Sequence, residues 1–198
     1  LNKLLIRILL HLQVEFSYEI GQDFDNYKFF VFKEDDELNA GAWNCKGQSL
    51  VNEWKGFSLE LFRDKKKKKD KRSEDFDASC YFSGCLIVNK RTSLLLSEKL
   101  KGQIEVLPVN VDGNISDFYF INVLNTVKAI NTESKSNEEI LKMMRDNNCD
   151  FNQKNIGSHI IFRDTIFNNS YYCTDEFIDF IQQNAIAGLK FICAGIAE

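Results

Sequence analysis

Leu10, Leu12, Val14, Phe16, Tyr18 and Ile20 alternate with His11, Gln13, Glu15, Ser17 and Glu19 in the stretch LHLQVEFSYEI. A period of two puts the apolar side chains on one face of an extended strand and the polar ones on the other. Such a strand must bury one face and leave the other wet, so the chain has to build a sheet with two unlike faces. YKFFVF at Tyr27–Phe32 and FSLELF at Phe57–Phe62 predict further strands, and KEDDELNAGAWNCKGQ between them holds too many turn formers to be regular. The first third is therefore expected to be a strand-rich lobe over residues 1–63.

An exposed basic loop is expected over 64–76, where the chain reads DKKKKKDKR from Asp64 to Arg72. Beyond it, residues 77–198 mix strand and helix signals. CLIVNK is a short buried strand, and RTSLLLSEKLKG predicts a helix capped by Thr92 or Ser93 and ended by Gly102. QIEVLPVNV and FYFINVLNTV are strands on either side of a turn at Asp112-Gly113. NEEILKMMRD predicts a helix with Ile140, Met143 and Met144 on one side. Thr174 is expected to cap TDEFIDFIQQNAIAG, with Asp175 and Glu176 at its positive end and Gly188 past its close. LKFICAGI reads as a last, buried strand. The strands and helices do not alternate as βαβ units. The expected class is α+β, a largely antiparallel sheet with a few helices packed on one side, in a single domain over 1–198.

The 17 phenylalanines against one proline in 198 residues require either a large interior or an aromatic surface meant for a partner. Six cysteines are too sparse in a chain this long to suggest a disulfide scaffold, and Cys173 and Cys193, both within apolar segments, are expected to be buried as small hydrophobes. LNKLLIRILLHLQ is interrupted by Arg7 and His11 and lacks a small-residue cleavage site, and no apolar run approaches a membrane span. The expectation is a cytoplasmic protein with no membrane partner. The formal net charge of −4 includes the lysine run, so the rest of the chain is more acidic than the total. Acidic bodies are steered toward basic partners.

The familiar constellations of catalysis are missing from the sequence. The histidines are His11, on the polar side of the alternating strand, and His159, in SHIIFRD, and neither belongs to a His-Glu-x-x-His pattern. Cys80 and Cys85 in CYFSGC lack the paired C-x-x-C spacing of a zinc site. The glycines are too dispersed to cradle a phosphate, and Ser83-Gly84 lacks the preceding glycine of a nucleophile elbow. No catalytic, cofactor-binding or metal-ligating residue is assigned on these grounds. An unrecognised enzyme using His159, Arg163 and Asp164 stays open as an alternative.

From about Cys85 to Ala197 the chain carries, in order, LIVNKRTSLLLSEKL, IEVLPV, FYFINVLNTVKAIN with Ser134 or Ser136 after it, IIFRD, YYCTDEF and GLKFICA. In that order and spacing it resembles the bacterial immunity proteins of polymorphic toxin systems, a family first catalogued as a domain of unknown function. The chain departs from the family pattern at Asn131, where aspartate is common, and at Asp164, where an apolar residue is common. The resemblance implies a protein without enzymatic activity or cofactor that binds and neutralises a cognate protein toxin, commonly a nuclease. A second copy of the chain is a further candidate partner.

A nuclease presents a basic cleft, which an acidic partner can fill as a phosphate mimic. The candidate partner-binding residues are accordingly Asp23, Asp25, Glu34, Asp35, Asp36 and Glu37, with Phe24, Phe32 and Trp43 as apolar anchors. The run Lys65 to Lys69 offers the other alternative, a nucleic-acid-associated module. On an acidic body it reads as a solvated connection, and nucleic acid is not an expected partner. The purified protein should therefore fail to retard DNA or RNA in gels at low salt. Retardation that falls steeply with salt and disappears when Lys65 to Lys69 become glutamine would reverse that expectation.

Overall fold

A computed structural model of the protein describes residues 15–33, 46–63, 70–112 and 117–197. The alternating stretch becomes strand β1 (Glu15–Gln22), and its earlier part, with His11, lies outside the described residues. There follow β2 (Phe30–Phe32), β3 (Ser58–Leu61), β4 (Ala78–Ser79), β5 (Leu86–Asn89), helix α1 (Lys90–Lys99), β6 (Ile104–Pro108), β7 (Asn110–Val111), β8 (Phe118–Val123) and β9 (Thr126–Val127). Helix α2 (Asn137–Arg145), β10 (Cys149–Phe151), α3 (Gln153–Ile156), β11 (Ile161–Asp164), β12 (Tyr172–Thr174), α4 (Asp175–Gln183) and β13 (Leu189–Ala197) complete the order.

The class is α+β, and the strands divide among three sheets. The largest runs β10-β13-β1-β12-β11-β9, the second β4-β5-β8-β6, and the smallest β2-β3-β7. Pairing is antiparallel except for β10 with β13, β9 with β11 and β3 with β7. A central apolar cluster lies between the two larger sheets, joining Ile20, Ile161 and Cys173 of one to Leu86, Val88, Ile121 and Val123 of the other. Phe177 and Ile181 of α4 and Leu96 of α1 fill it. Ile87, Leu107 and Phe120 point from the opposite face of the four-stranded sheet into a second cluster shared with Phe30 and Leu59 of the smallest sheet. A third, around Phe151, Phe162 and Tyr172, lies under Met143 and Met144 of α2 and Ile156 of α3. The helices are thus divided between two clusters. Each fully buried ring such as Phe177 contributes about 2–3 kcal/mol in area removed from water.

Local chemistry sets the element ends. Asn89, two residues ahead of the predicted helix, caps α1, its side chain accepting the Thr92 amide at 2.9 Å. Thr92 and Ser93 are instead buried inside the first turn. Ser136 and Glu139 form a reciprocal capping box at α2. Thr174 holds the N-cap position of α4 without a side-chain cap bond, and the helix closes at Gln183, before the expected end. Gly188 therefore plays another part. It has a positive φ of +110°, and a Cβ there would lie 2.0 Å from the Ala78 carbonyl oxygen, so only glycine lets β13 start against β4.

Two expectations fail at β13. The strand is not buried throughout, since Ile192 and Ile196 are exposed, and Cys193 is exposed too. The helix α4 covers Leu189 and Phe191, while Ala194 and Ala197 face the third cluster. A bulge between Ser17 and Tyr18, opposite Cys193 and Gly195, changes which side chains point inward.

The two larger sheets are tied together by polar side chains as well as apolar ones. Arg163 is 2% exposed, and its Nε donates to the Val123 carbonyl at 2.9 Å and its Nη1 to the Asn168 carbonyl at 2.6 Å. Its Nη2 donates to Asn122 Oδ1 at 3.2 Å and to the Tyr171 hydroxyl at 2.8 Å, and the guanidinium carbon sits 4.4 Å from the Tyr171 ring centroid. Asn122 passes the network on, donating to Glu105 Oε2 at 2.9 Å. Asp164, fully buried, accepts the amides of Ala129 and Ile130 on Oδ2, both at 2.9 Å, and those of Ile166 and Phe167 on Oδ1 at 2.7 and 3.2 Å. Arg163→Met should cost about 3–5 kcal/mol, because it strands several buried acceptors at once. Tyr171→Phe, which loses the hydroxyl's bond to the Ile121 carbonyl at 2.8 Å, should cost about 1–3 kcal/mol. Urea melts read with an unchanged m-value would check both.

Candidate functional site

A column of three rings stands at the surface. Phe29 stacks on Tyr81 with centroids 4.7 Å apart and planes 9° from parallel, and on Phe62 at 4.8 Å and 10°. Phe24 meets Phe29 edge-on at 5.0 Å, and Phe82 meets Tyr81 at 4.4 Å. Phe24, Tyr81 and Phe82 remain 46%, 39% and 38% exposed. Isolated exposed apolar residues are ordinary, and adjoining exposed aromatic rings make this patch the candidate contact surface.

Two turns hold these rings in place. In the first, Asp23 Oδ1 accepts the amides of Asp25 and Asn26, each at 3.2 Å, and Oδ2 accepts Asn26 Nδ2 at 2.8 Å. That turn presents Phe24 to solvent. The second turn carries Tyr81 and Phe82 and hangs from Cys80, whose thiol donates to the Ile20 carbonyl at 3.5 Å. Burial, with the Glu19 charge behind it, pushes the Cys80 thiol up to about 12. Gln22 joins the turns: Oε1 accepts the Cys80 amide at 2.9 Å and the Ser79 hydroxyl at 3.1 Å, and Nε2 donates to the Gly188 carbonyl at 3.1 Å. The polar end of β1 is thereby buried and satisfied.

Beside the column runs a groove of about 750 Å³ whose lining includes Val31, Phe32, Glu60, Phe62, Tyr81 and Asp112. Arg72 approaches the column, its guanidinium carbon 5.4 Å from the Phe29 centroid. It is aimed by Asp70, which accepts Nε at 3.0 Å and Nη2 at 2.7 Å. The same side-chain bonds hold the Asp70 carboxyl well below the usual carboxylate range.

Of the candidates read from the sequence, Asp23 and Asp25 flank Phe24 on this surface. The Asp23 carboxylate is committed to its turn, and Asp25 pairs with Lys190 at 3.2 Å. Phe32 lines the groove. Glu34, Asp35, Asp36, Glu37, Trp43 and Lys65 to Lys69 lie outside the described residues. Tyr81, Phe82, Phe62 and Glu60 were not singled out by sequence. In CYFSGC it is the rings of Tyr81 and Phe82 that reach the surface, while Cys80 is buried.

The alternative built on His159, Arg163 and Asp164 does not assemble. Arg163 and Asp164, neighbours on β11, are each spent inside the fold, Arg163 on Val123, Asn122, Asn168 and Tyr171 and Asp164 on the amides of Ala129, Ile130, Ile166 and Phe167. His159 lines a separate cleft of about 290 Å³ with Glu15, Asp175 and Glu176, its Nδ1 3.5 Å from Gln103 Oε1. Among the described residues no group of three or more His, Cys, Asp or Glu is placed to hold a metal ion. Among the same residues, no helix is long and apolar enough to cross a membrane.

A family model described as an immunity protein family (Imm11) matches residues 19–195. The match begins far ahead of Cys85, where the recognisable motifs start, and takes in the second half of β1 and all of β2 and β3 as well. No curated protein matches the chain.

The burial pattern makes the thiols distinguishable. Under native conditions a small alkylating reagent should modify Cys193 and leave Cys80, Cys149 and Cys173, all buried, untouched until denaturant is added. Peptide mass mapping before and after denaturation is the check, and early labelling of Cys80 would contradict the placement of its turn.

Proposed function

The chain belongs to the Imm11 immunity protein family, and from that premise we propose that it protects its host by binding a cognate protein toxin and holding it inactive. It acts by occlusion and makes or breaks no covalent bond itself. The surface that meets the toxin is the aromatic cluster of Phe24, Tyr81 and Phe82 with the acidic groups beside it.

The observation that carries this assignment is the exposure of three adjoining rings on a well-fastened framework. Aromatic anchors supply a large share of binding energy where they enter a pocket on the partner, and rigid presentation spares the ordering cost that a mobile loop incurs. The acidic character of the chain outside its lysine run adds long-range attraction toward a basic toxin surface, such as the cleft of a nuclease acting in the cytoplasm. A catalytic function finds no comparable support, since the charged pair best placed to serve it is consumed in the core.

Co-expression with the toxin encoded beside the gene provides the test. The wild-type chain should rescue growth and form a stable complex. Phe24→Ala and Tyr81→Ala should each weaken binding by roughly fivefold to a hundredfold, the span set by about 1–3 kcal/mol for truncating an interface anchor. The Phe24 substitution should cost no more than about 1–2 kcal/mol of stability, because the ring is 46% exposed and its aromatic packing is edge-on to Phe29 and Tyr81. Full protection by the doubly substituted chain would remove the aromatic cluster from the interface.

A further inference from the structure

The groove beside the ring column has a chemistry of its own. Phe29 and Val31 alternate onto one face of β2 and the residue before it. On β3, Glu60 lies opposite Val31, and the Phe62 amide donates to the Phe29 carbonyl at 2.9 Å. Residues two apart on a strand share a face, so Glu60, Phe62, Phe29 and Val31 stand together on the outer side of the smallest sheet. Asp112 is held next to them by its amide, which donates to the Leu59 carbonyl at 3.0 Å. Neither Glu60 nor Asp112 has an ion-pair partner among the described residues. Arg63 also lines the groove, but lies within electrostatic reach of Glu74, whose carboxyl is held below its ordinary value first by Lys28 and then by Arg63.

Carboxylates with no ion-pair partner among the described residues, set against exposed ring surface, make a specific kind of receptor. A planar guanidinium lies flat on an aromatic face and donates in a fork to carboxylates, whereas an ammonium is a compact, strongly hydrated charge that does neither as well. The column already has one guanidinium against it, that of Arg72 beside Phe29. The exposed surfaces of Tyr81 and Phe62 face the groove, where the two acids wait. We propose that this groove seats an arginine side chain carried by the partner toxin, its guanidinium stacked on the aromatic column and paired with Glu60 and Asp112. The inference rests on the toxin-binding function above and adds the chemistry of the contact.

The test has two arms. In the first, the full chain is titrated with N-acetyl-arginine amide and, at equal ionic strength, with N-acetyl-lysine amide, while the ring resonances of Phe29, Phe62 and Tyr81 are followed by NMR. Saturable shifts are expected with the arginine compound, with at least roughly fivefold weaker binding of the lysine compound. Glu60→Gln with Asp112→Asn should reduce arginine binding by a similar factor, as should Phe62→Leu. Asparagine tolerates the positive φ of 49° at position 112, so the acid pair can be neutralised without strain. Equal response to both compounds, or no change in the variants, overturns the proposal.

In the second arm the same variants are assayed against the toxin encoded beside the gene. Weakened complex formation by Glu60→Gln with Asp112→Asn supports the arginine seat. Wild-type affinity of that double variant overturns it while leaving the immunity function intact. If the wild-type chain itself neither binds nor neutralises the toxin, the function falls, and the arginine-selective shifts of the first arm still stand or fall on their own.

Discussion

A guanidinium removed from water needs acceptors for its N–H groups, and Arg163 finds four, drawn from both large sheets. Its acceptors are the Val123 carbonyl and Asn122 at the end of β8, the Asn168 carbonyl in the loop after β11, and the Tyr171 hydroxyl at the start of β12. No carboxylate touches it among the described residues. The compensating charge sits one step away, on Glu105, reached through Asn122. An unmade bond here leaves a buried cation uncompensated, so the network fixes the relative placement of the sheets more narrowly than apolar packing would.

The surface inherits that rigidity. The six-stranded sheet carries β1, and β1 ends in Gln22, which ties the turn at Asp23 to the turn at Tyr81 and to the chain entering β13. Phe24, Phe29 and Tyr81 are thus held by strands already locked against one another. A binding surface on such supports needs little ordering when a partner arrives.

Much of the architecture was legible because it is local. The alternation around Phe16 to Ile20 marks a strand, although its polar face is not wet, since Ser17 is fully buried in the middle of the six-stranded sheet; the helical spacing of Ile140, Met143 and Met144 and the acidic first turn of α4 likewise declare themselves within a dozen residues. The failures are instructive. LKFICAGI has the composition of a buried strand, yet Ile192, Cys193 and Ile196 face solvent, because a bulge and the extent of one helix decide what is covered. Arg163 looked like a chemical group when it was next to Asp164 and near His159 in sequence. In the fold, alternation along β11 sends Arg163 and Asp164 to different partners, and His159 opens into a separate cleft. The groove could not have been read at all. Its residues come from β2, β3, the turn after β4 and the end of β7, and only tertiary pairing brings Phe29 against both Phe62 and Tyr81.

The way Gln22 fastens the two turns has a bearing on how such a protein changes over generations. Its bonds run largely to main-chain atoms, the Cys80 amide and the Gly188 carbonyl, which every substitution at the tips leaves in place. Rings and charges at positions 24, 81 and 82 are therefore free to drift while the scaffold beneath stays the same. A lineage whose adversary acquires a new face has a handful of side chains to exchange in reply, and the interior need not be renegotiated each time.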